Sequence, residues 1–188
     1  MWIPSTDEFV ANALRVACAG GTTILTPTRR QARARVKIQP SIGTGGERVK
    51  ATAICDGRGN AGTGARAAVL YIGEGLHPDR HVRAEKLPAT TNIVAEHLAI
   101  QLAMELAKDH GVTELVIYND SKTPVNHVNG NYKVRKEHLI SIVDKTWEMW
   151  SEFLSIEIRW TSREHTKEAD ALCRAVDARA PRTAALDD

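Results

Sequence analysis

Apolar residues recur every second position in some stretches of the chain and every third or fourth in others, and this change of period divides it into elements. Ser5 with Glu8 three residues on forms a capping box, and Phe9, Val10, Ala13, Leu14, Ala17 and Cys18 follow at helical spacing. A short amphipathic helix is predicted there, ended by Gly20 and Gly21. Arg33, Arg35 and Lys37 then alternate with Ala34, Val36 and Ile38 at strand period, and SIGTGGE reads as a linker. From Val49 the pattern predicts a strand, VKATAICD, ending on Asp56, a glycine-rich turn, GRGNAGTG, and a second strand, ARAAVLYIG. DRHVRAEKL, residues 79–87, is a third and more exposed strand that Pro88 stops.

The second half alternates helix and strand. Thr91 or Asn92 caps a helix whose stripe is Ala95, Leu98, Leu102 and Leu106, with His110 and Gly111 closing it. Residues 114–119 read as a short buried strand running into Asp120. SKTPVNHVNG is a short helix with Pro124 tolerated near its first turn. KEHLISIVDKTWEMWSEFL carries a stripe at Leu139, Val143, Trp147, Trp150 and Leu154, which makes its tryptophans core residues. SIEIRW alternates as a fifth strand. A last helix is expected to begin near Thr166, with Ala169, Leu172, Cys173 and Val176 inward and Asp170 at the edge of that face. Three meander strands followed by alternating helices and strands imply an α/β fold: a five-stranded mixed sheet, three antiparallel strands then two parallel ones, with helices on both faces.

Composition adds boundaries. The 188-residue chain is expected to comprise an N-terminal extension (1–48), a main domain (49–178) and a frayed tail (179–188). The three cysteines, Cys18, Cys55 and Cys173, are odd in number and far apart, which favours a reducing compartment. With no membrane-length apolar run and no signal-peptide start, a soluble cytoplasmic protein is expected. The initial Met and the tail lean towards a free-standing enzyme. Net charge is +2, yet residues 1–48 hold seven Lys/Arg against three Asp/Glu, so the rest carries −2. The basic stretch from Arg29 to Lys37 is thus either a solvated edge strand or an arm that tracks phosphates.

Four acids stand at comparable topological places: Asp56 closing the first strand, Glu96 opening the first main-domain helix, Asp120 closing the fourth strand and Asp170 in the last helix. Carboxylates supply hard oxygen ligands for Mg²⁺, and two ions roughly 3.5 to 4 Å apart can clamp the attacking and leaving oxygens of a phosphoryl displacement. An acidic domain that must bind a polyanion needs such cations or a basic arm.

The motifs ATAICDGRGNAG, TTNIVAEHLAI, IYNDS, SKTPVNHVNGNY and WTSREHTKEADALCRA, in that order, resemble the type 1 ribonuclease H family, particularly its archaeal-like and retroelement-like subgroup. The resemblance spans about residues 49–178 and implies an endoribonuclease that cuts the RNA strand of RNA/DNA hybrids, leaving 5′-phosphate and 3′-hydroxyl ends. It implies that Asp56, Glu96, Asp120 and Asp170 bind two Mg²⁺ or Mn²⁺ ions. Asp56 would bridge both, Glu96 and Asp120 would hold the nucleophile-side ion, and Asp170 the second. Asn60 and Asn92 are implied minor-groove contacts, with Gly57, Thr91 and Ser121 beside them. Lys133, Arg135 and Lys136, next to Tyr132, form a smaller substitute for a longer basic protrusion that could meet phosphates of the DNA strand, and Arg33 and Arg35 would add phosphate contacts if the basic stretch is an arm.

Departures from the family pattern are a shorter turn after Asp56, Ile93 where a second Asn is common, and Lys122 where a Gln is common. His165 lies near the place of a histidine that assists product release in bacterial relatives, which makes it a further catalytic candidate. Residues 1–48 lie outside the resemblance. A monomer without a protein or membrane partner is expected. The alternatives are a nuclease of the same superfold that acts on DNA, such as a resolvase or integrase, and a non-catalytic hybrid-binding module.

Overall fold

A computed structural model of the protein describes residues 48–73 and 78–178. In chain order they form β1 (Lys50–Gly59), β2 (Gly64–Ile72), β3 (Asp79–Leu87), α1 (Asn92–Asp109), β4 (Glu114–Asn119), α2 (Lys122–Val128), α3 (Glu137–Trp150), β5 (Ser155–Trp160) and α4 (Arg163–Ala178). The predicted N-terminal helix, the basic stretch with Arg33 and Arg35, the linker and the tail from residue 179 lie outside the described residues. No helix among the described residues is long and apolar enough to cross a membrane.

The five strands make one mixed sheet in the order β3-β2-β1-β4-β5. β1, β2 and β3 pair antiparallel, while β4 runs parallel to β1 and β5 parallel to β4. Strand alternation then sorts side chains to two layers. Ala51, Ala53 and Cys55 of β1 join the larger core with α1, whereas Ile54 packs with Ala65, Ala67, Ala169 and Cys173 beneath α4. Leu70, Ile100, Leu102, Met104, Leu115 and Ile117 are fully enclosed, each burial contributing about 1.5 to 3 kcal/mol.

Four expectations are corrected. β1 does not end on Asp56 but continues to Gly59, because its antiparallel pairing with β2 persists through Gly59↔Gly64. The single apolar stripe expected for α1 is too narrow. That helix is sandwiched between the sheet and the α2–α3 layer, so Glu96, His97 and Gln101 are buried along with Ala99, Ala103 and Ala107, while Leu98 is only half-buried. The amide of Gln101 is satisfied there, donating to Ile142 O at 2.9 Å and Thr146 Oγ1 at 3.1 Å. Leu154 is exposed, since α3 stops at Trp150 and Phe153 turns into the core instead. Finally, α4 starts at Arg163, three residues before Thr166, its first turn closed by His165 N donating to Ser162 O at 3.0 Å.

Candidate active site

β1 is the central strand, and its two neighbours stop at different places. Parallel pairing with β4 ends at Cys55↔Asn119, whereas pairing with β2 runs four residues further. Asp56, the next residue on β1, and Asp120, the residue just past β4, follow that last pair, so register alone sets the two acids side by side where the parallel pairing ends. Such a point, where one neighbour is lost, is where α/β sheets leave room for a ligand.

Glu96 reaches the same place because α1 lies against β1 at glycine. A Cβ on Gly57 would stand 2.3 Å from the carbonyl carbon and oxygen of Ala95, and one on Gly59 would stand 2.6 Å from Thr90 O. Only a residue without a side chain lets the helix approach so closely. Thr91 caps that helix, its side chain accepting from Val94 N at 3.4 Å. Carboxylate oxygens of Asp56, Glu96 and Asp120 consequently lie within 4.8 Å of one another.

Neighbouring groups fix these oxygens. Glu96 Oε2 accepts from Asn119 Nδ2 at 2.9 Å and from Gly57 N at 3.2 Å. Asn119 is fully buried, also donates to Cys55 O at 3.3 Å, and accepts from Ser121 N at 2.8 Å through its own oxygen. Asp120 Oδ2 accepts from the buried Thr166 hydroxyl at 3.0 Å, and the indole of Trp160 donates to Asp120 O at 2.9 Å. Asp56 differs: its Oδ2 is buried and has no hydrogen-bond partner.

Burial, followed by the charges of Asp120 and Asp170, pushes the Asp56 carboxyl from 3.8 up to about 6, against the opposing pull of Arg163 and Arg58. Burial also lifts Glu96 from 4.5 to about 8; the Asn119 hydrogen bond opposes this, and the charges of Asp56 and Asp120 add to it. The site thus holds more negative charge than its surroundings can solvate. Protons or a cation relieve it.

Asp170 is placed apart from this triple group. It is buried on α4, bound by Arg174 one turn on, with Arg163 Nη2 3.9 Å and Arg58 Nη1 4.0 Å from its oxygens. Its charge still reaches Asp56. His165 is exposed, its Nδ1 3.0 Å from Thr161 Oγ1 and 3.1 Å from Ser162 Oγ.

The expected substrate contacts are placed differently from one another. Asn60 Oδ1 accepts from Gly62 N at 2.8 Å and Thr63 N at 3.0 Å, shaping the hairpin turn, and Asn92 Oδ1 accepts from Gly59 N at 3.4 Å. Both residues are exposed, Gly57 is buried under α1, and Ser121 is half-buried. Lys133, Arg135, Lys136 and Tyr132 are exposed between α2 and α3. Lys122 Nζ sits 4.5 Å from the centroid of the exposed Trp160 ring. Reading the sequence did not single out Asn119, Thr166 or the arginines around Asp170. The available signal was an amide at an inward position of a buried strand, since such a group needs partners.

A family model described as reverse transcriptase-like matches residues 54–176. The bifunctional protein Rv2228c of Mycobacterium tuberculosis is 31% identical over 135 residues, which are 70% of this chain and 36% of that protein. The chain therefore spans about a third of the length of this curated relative. The solved N-terminal RNase H domain of Rv2228c is 28% identical with a TM-score of 0.64, covering 69% of this chain and 95% of that one. RNase H1 from the halophilic archaeon Halobacterium salinarum is 26% identical with a TM-score of 0.65, over 69% and 98%. LC11-RNase H1, solved in complex with an RNA/DNA hybrid, is 26% identical with a TM-score of 0.62, over 68% and 97%.

Proposed function

Since the chain belongs to the reverse transcriptase-like family of ribonuclease H domains, we propose that it is an endonuclease hydrolysing the RNA strand of RNA/DNA hybrids with two divalent cations. The observation that carries this reading is the meeting of Asp56, Glu96 and Asp120 within 4.8 Å around an Asp56 oxygen that is buried and unpartnered. An all-carboxylate donor set suits a hard cation, Mg²⁺ with Mn²⁺ as substitute. Asp56, Glu96 and Asp120 would hold one ion, and Asp56 with Asp170 the second. Bound there, such ions supply an activated water and charge stabilisation on the leaving oxygen.

The chain's own groups orient and gate this chemistry. Asn119 and the Gly57 amide aim Glu96, and Thr166 aims Asp120. Hydrolysis adds the oxygen of water to phosphorus and breaks the P–O3′ bond, so the proton ends on O3′ and the products carry 5′-phosphate and 3′-hydroxyl ends. Asn60, Asn92, Thr91 and Ser121, with the Gly57 backbone beneath them, face the hybrid's shallow minor groove, where 2′-hydroxyls distinguish RNA from DNA. Lys133, Arg135 and Lys136 meet phosphates of the DNA strand. Residues 49–178 act as the catalytic domain, with residues 1–48 an accessory basic arm. The enzyme works as a cytoplasmic monomer.

Asp120→Asn tests the assignment, because it preserves shape and the Thr166 contact while removing one ligand charge. Cleavage of hybrid is expected to fall at least about a hundredfold with hybrid binding retained. A variant that cuts at the wild-type rate removes Asp120 from the site.

A further inference from the structure

We infer that Arg58 and Arg163 form a binding site for a backbone phosphate of the nucleic acid, at present facing the carboxylate of Asp170; the inference rests on the proposed hybrid-directed activity. Arg58 lies on β1 two residues past Asp56, where the strand has lost its β4 neighbour, and Arg163 opens α4. Their side chains are 44% and 73% exposed, so solvent and a ligand can reach both. Asp170 does not need them. It already accepts from Arg174 Nε at 3.3 Å and more closely from Arg174 Nη2 on its own helix.

One carboxylate thus faces three guanidinium groups, a local excess of positive charge beside a cluster of acids. Arg58 Nη1 and Arg163 Nη2 stand 4.0 and 3.9 Å from Asp170, beyond hydrogen-bonding distance, and neither side chain donates a hydrogen bond among the described residues. Each guanidinium keeps its fork of N–H donors available, a geometry that matches two phosphate oxygens. Arg58 lies two residues past Asp56 on β1, and both arginines face Asp170, which places them at the acidic end of the sheet. A polyanion approaching these acids needs positive groups at their rim, and these two are positioned to supply them.

The alternative is that the arginines only compensate the acids, and salt dependence separates the two roles. Anisotropy of a labelled RNA/DNA hybrid is titrated in EDTA over a range of KCl for wild type, Arg58→Ala/Arg163→Ala, Arg58→Lys/Arg163→Lys, and Lys145→Ala as a control on α3. The alanine pair is expected to bind on the order of tenfold more weakly at low salt, with a log–log slope flatter by about 1.5. The lysine pair should restore the slope but not the full affinity, and Lys145→Ala should match wild type. A folded alanine pair with wild-type slope and affinity overturns the inference and leaves the proposed function standing. If the pair does not fold, each single alanine variant is expected to flatten the slope by about 0.7 to 0.9, and wild-type slopes in both overturn it. Wild-type protein that neither binds nor cuts hybrid overturns the proposed function and this inference together.

Discussion

Replacing Asp56 by Asn keeps the side chain's shape and removes one charge from a site that has too many. Two ionised carboxylates 4.8 Å apart repel by about 3.5 kcal/mol at an effective dielectric of 20. The rise of the Asp56 carboxyl from 3.8 to about 6, caused first by burial and then by the neighbouring acids, corresponds to about 3 kcal/mol against the ionised form. The sign follows from proton binding: folded Asp56 holds its proton more tightly than the unfolded chain does. Stability from this group is fully present below 3.8 and is lost as pH rises through about 6. In EDTA at pH 8 the variant should therefore melt above wild type by several degrees, and the difference should shrink towards pH 4. Metal reverses the order. At a hundred times its dissociation constant, Mg²⁺ or Mn²⁺ adds about 2.7 kcal/mol to wild type, while Asp56→Asn should gain little. Thermal melting of both proteins across pH 4 to 8, in EDTA and in a metal titration, measures each quantity. Equal melting in EDTA at pH 8 together with equal metal-induced shifts would refute the reasoning, because a solvated surface acid changes neither by more than about 0.5 kcal/mol.

Two further outcomes follow from the geometry. Gly57→Ala should destabilise the domain by at least about 2 kcal/mol and depress cleavage, since a Cβ 2.3 Å from Ala95 backbone atoms must push α1 and Glu96 away; chemical denaturation and a hybrid-cleavage assay check this. Removing residues 1–48 takes out Arg29, Arg30, Arg33, Arg35 and Lys37 while leaving the acids in place. If the arm tracks phosphates, hybrid affinity drops and the salt slope flattens by up to about 0.9 per lost contact, with turnover at saturation little changed; an unchanged slope in a folded truncation identifies a solvated edge strand.

Local period located the elements well where one face of each is buried. β3 and β5 match the alternation of DRHVRAEKL and SIEIRW, and β4 ends where the apolar run meets Asp120. Features set by neighbours rather than by local pattern were not legible. That β1 outruns Asp56 depends on how far β2 pairs with it, and no residue in β1 announces that. The burial of His97 and Gln101 comes from α2 and α3 covering the outer side of α1, with His97 against His127 of α2 and Gln101 against Ile142 of α3, which a stripe of leucines does not reveal. At the site, Asp56, Glu96 and Asp120 were readable as acids at element ends, and the structure brings them together. Asn119 was read only as the last residue of the fourth strand, since nothing local marks its amide as a partner for a distant carboxylate. Its value lies in donating to Glu96, 23 residues away in the chain. The withdrawal of Asp170 towards Arg58, Arg163 and Arg174 is likewise a property of three side chains from two elements, and spacing carries no trace of it.

The central claim is that these acids cut RNA paired with DNA in a cation-dependent reaction. It is tested most directly by incubating the full chain with end-labelled RNA/DNA hybrid, duplex DNA and duplex RNA of one sequence, in Mg²⁺, in Mn²⁺ and in EDTA, and by identifying the product ends. The account predicts cleavage of the RNA strand of the hybrid alone, with 5′-phosphate and 3′-hydroxyl ends, abolished by EDTA. Preferential cutting of duplex DNA, or hybrid cleavage that persists in EDTA, would contradict it.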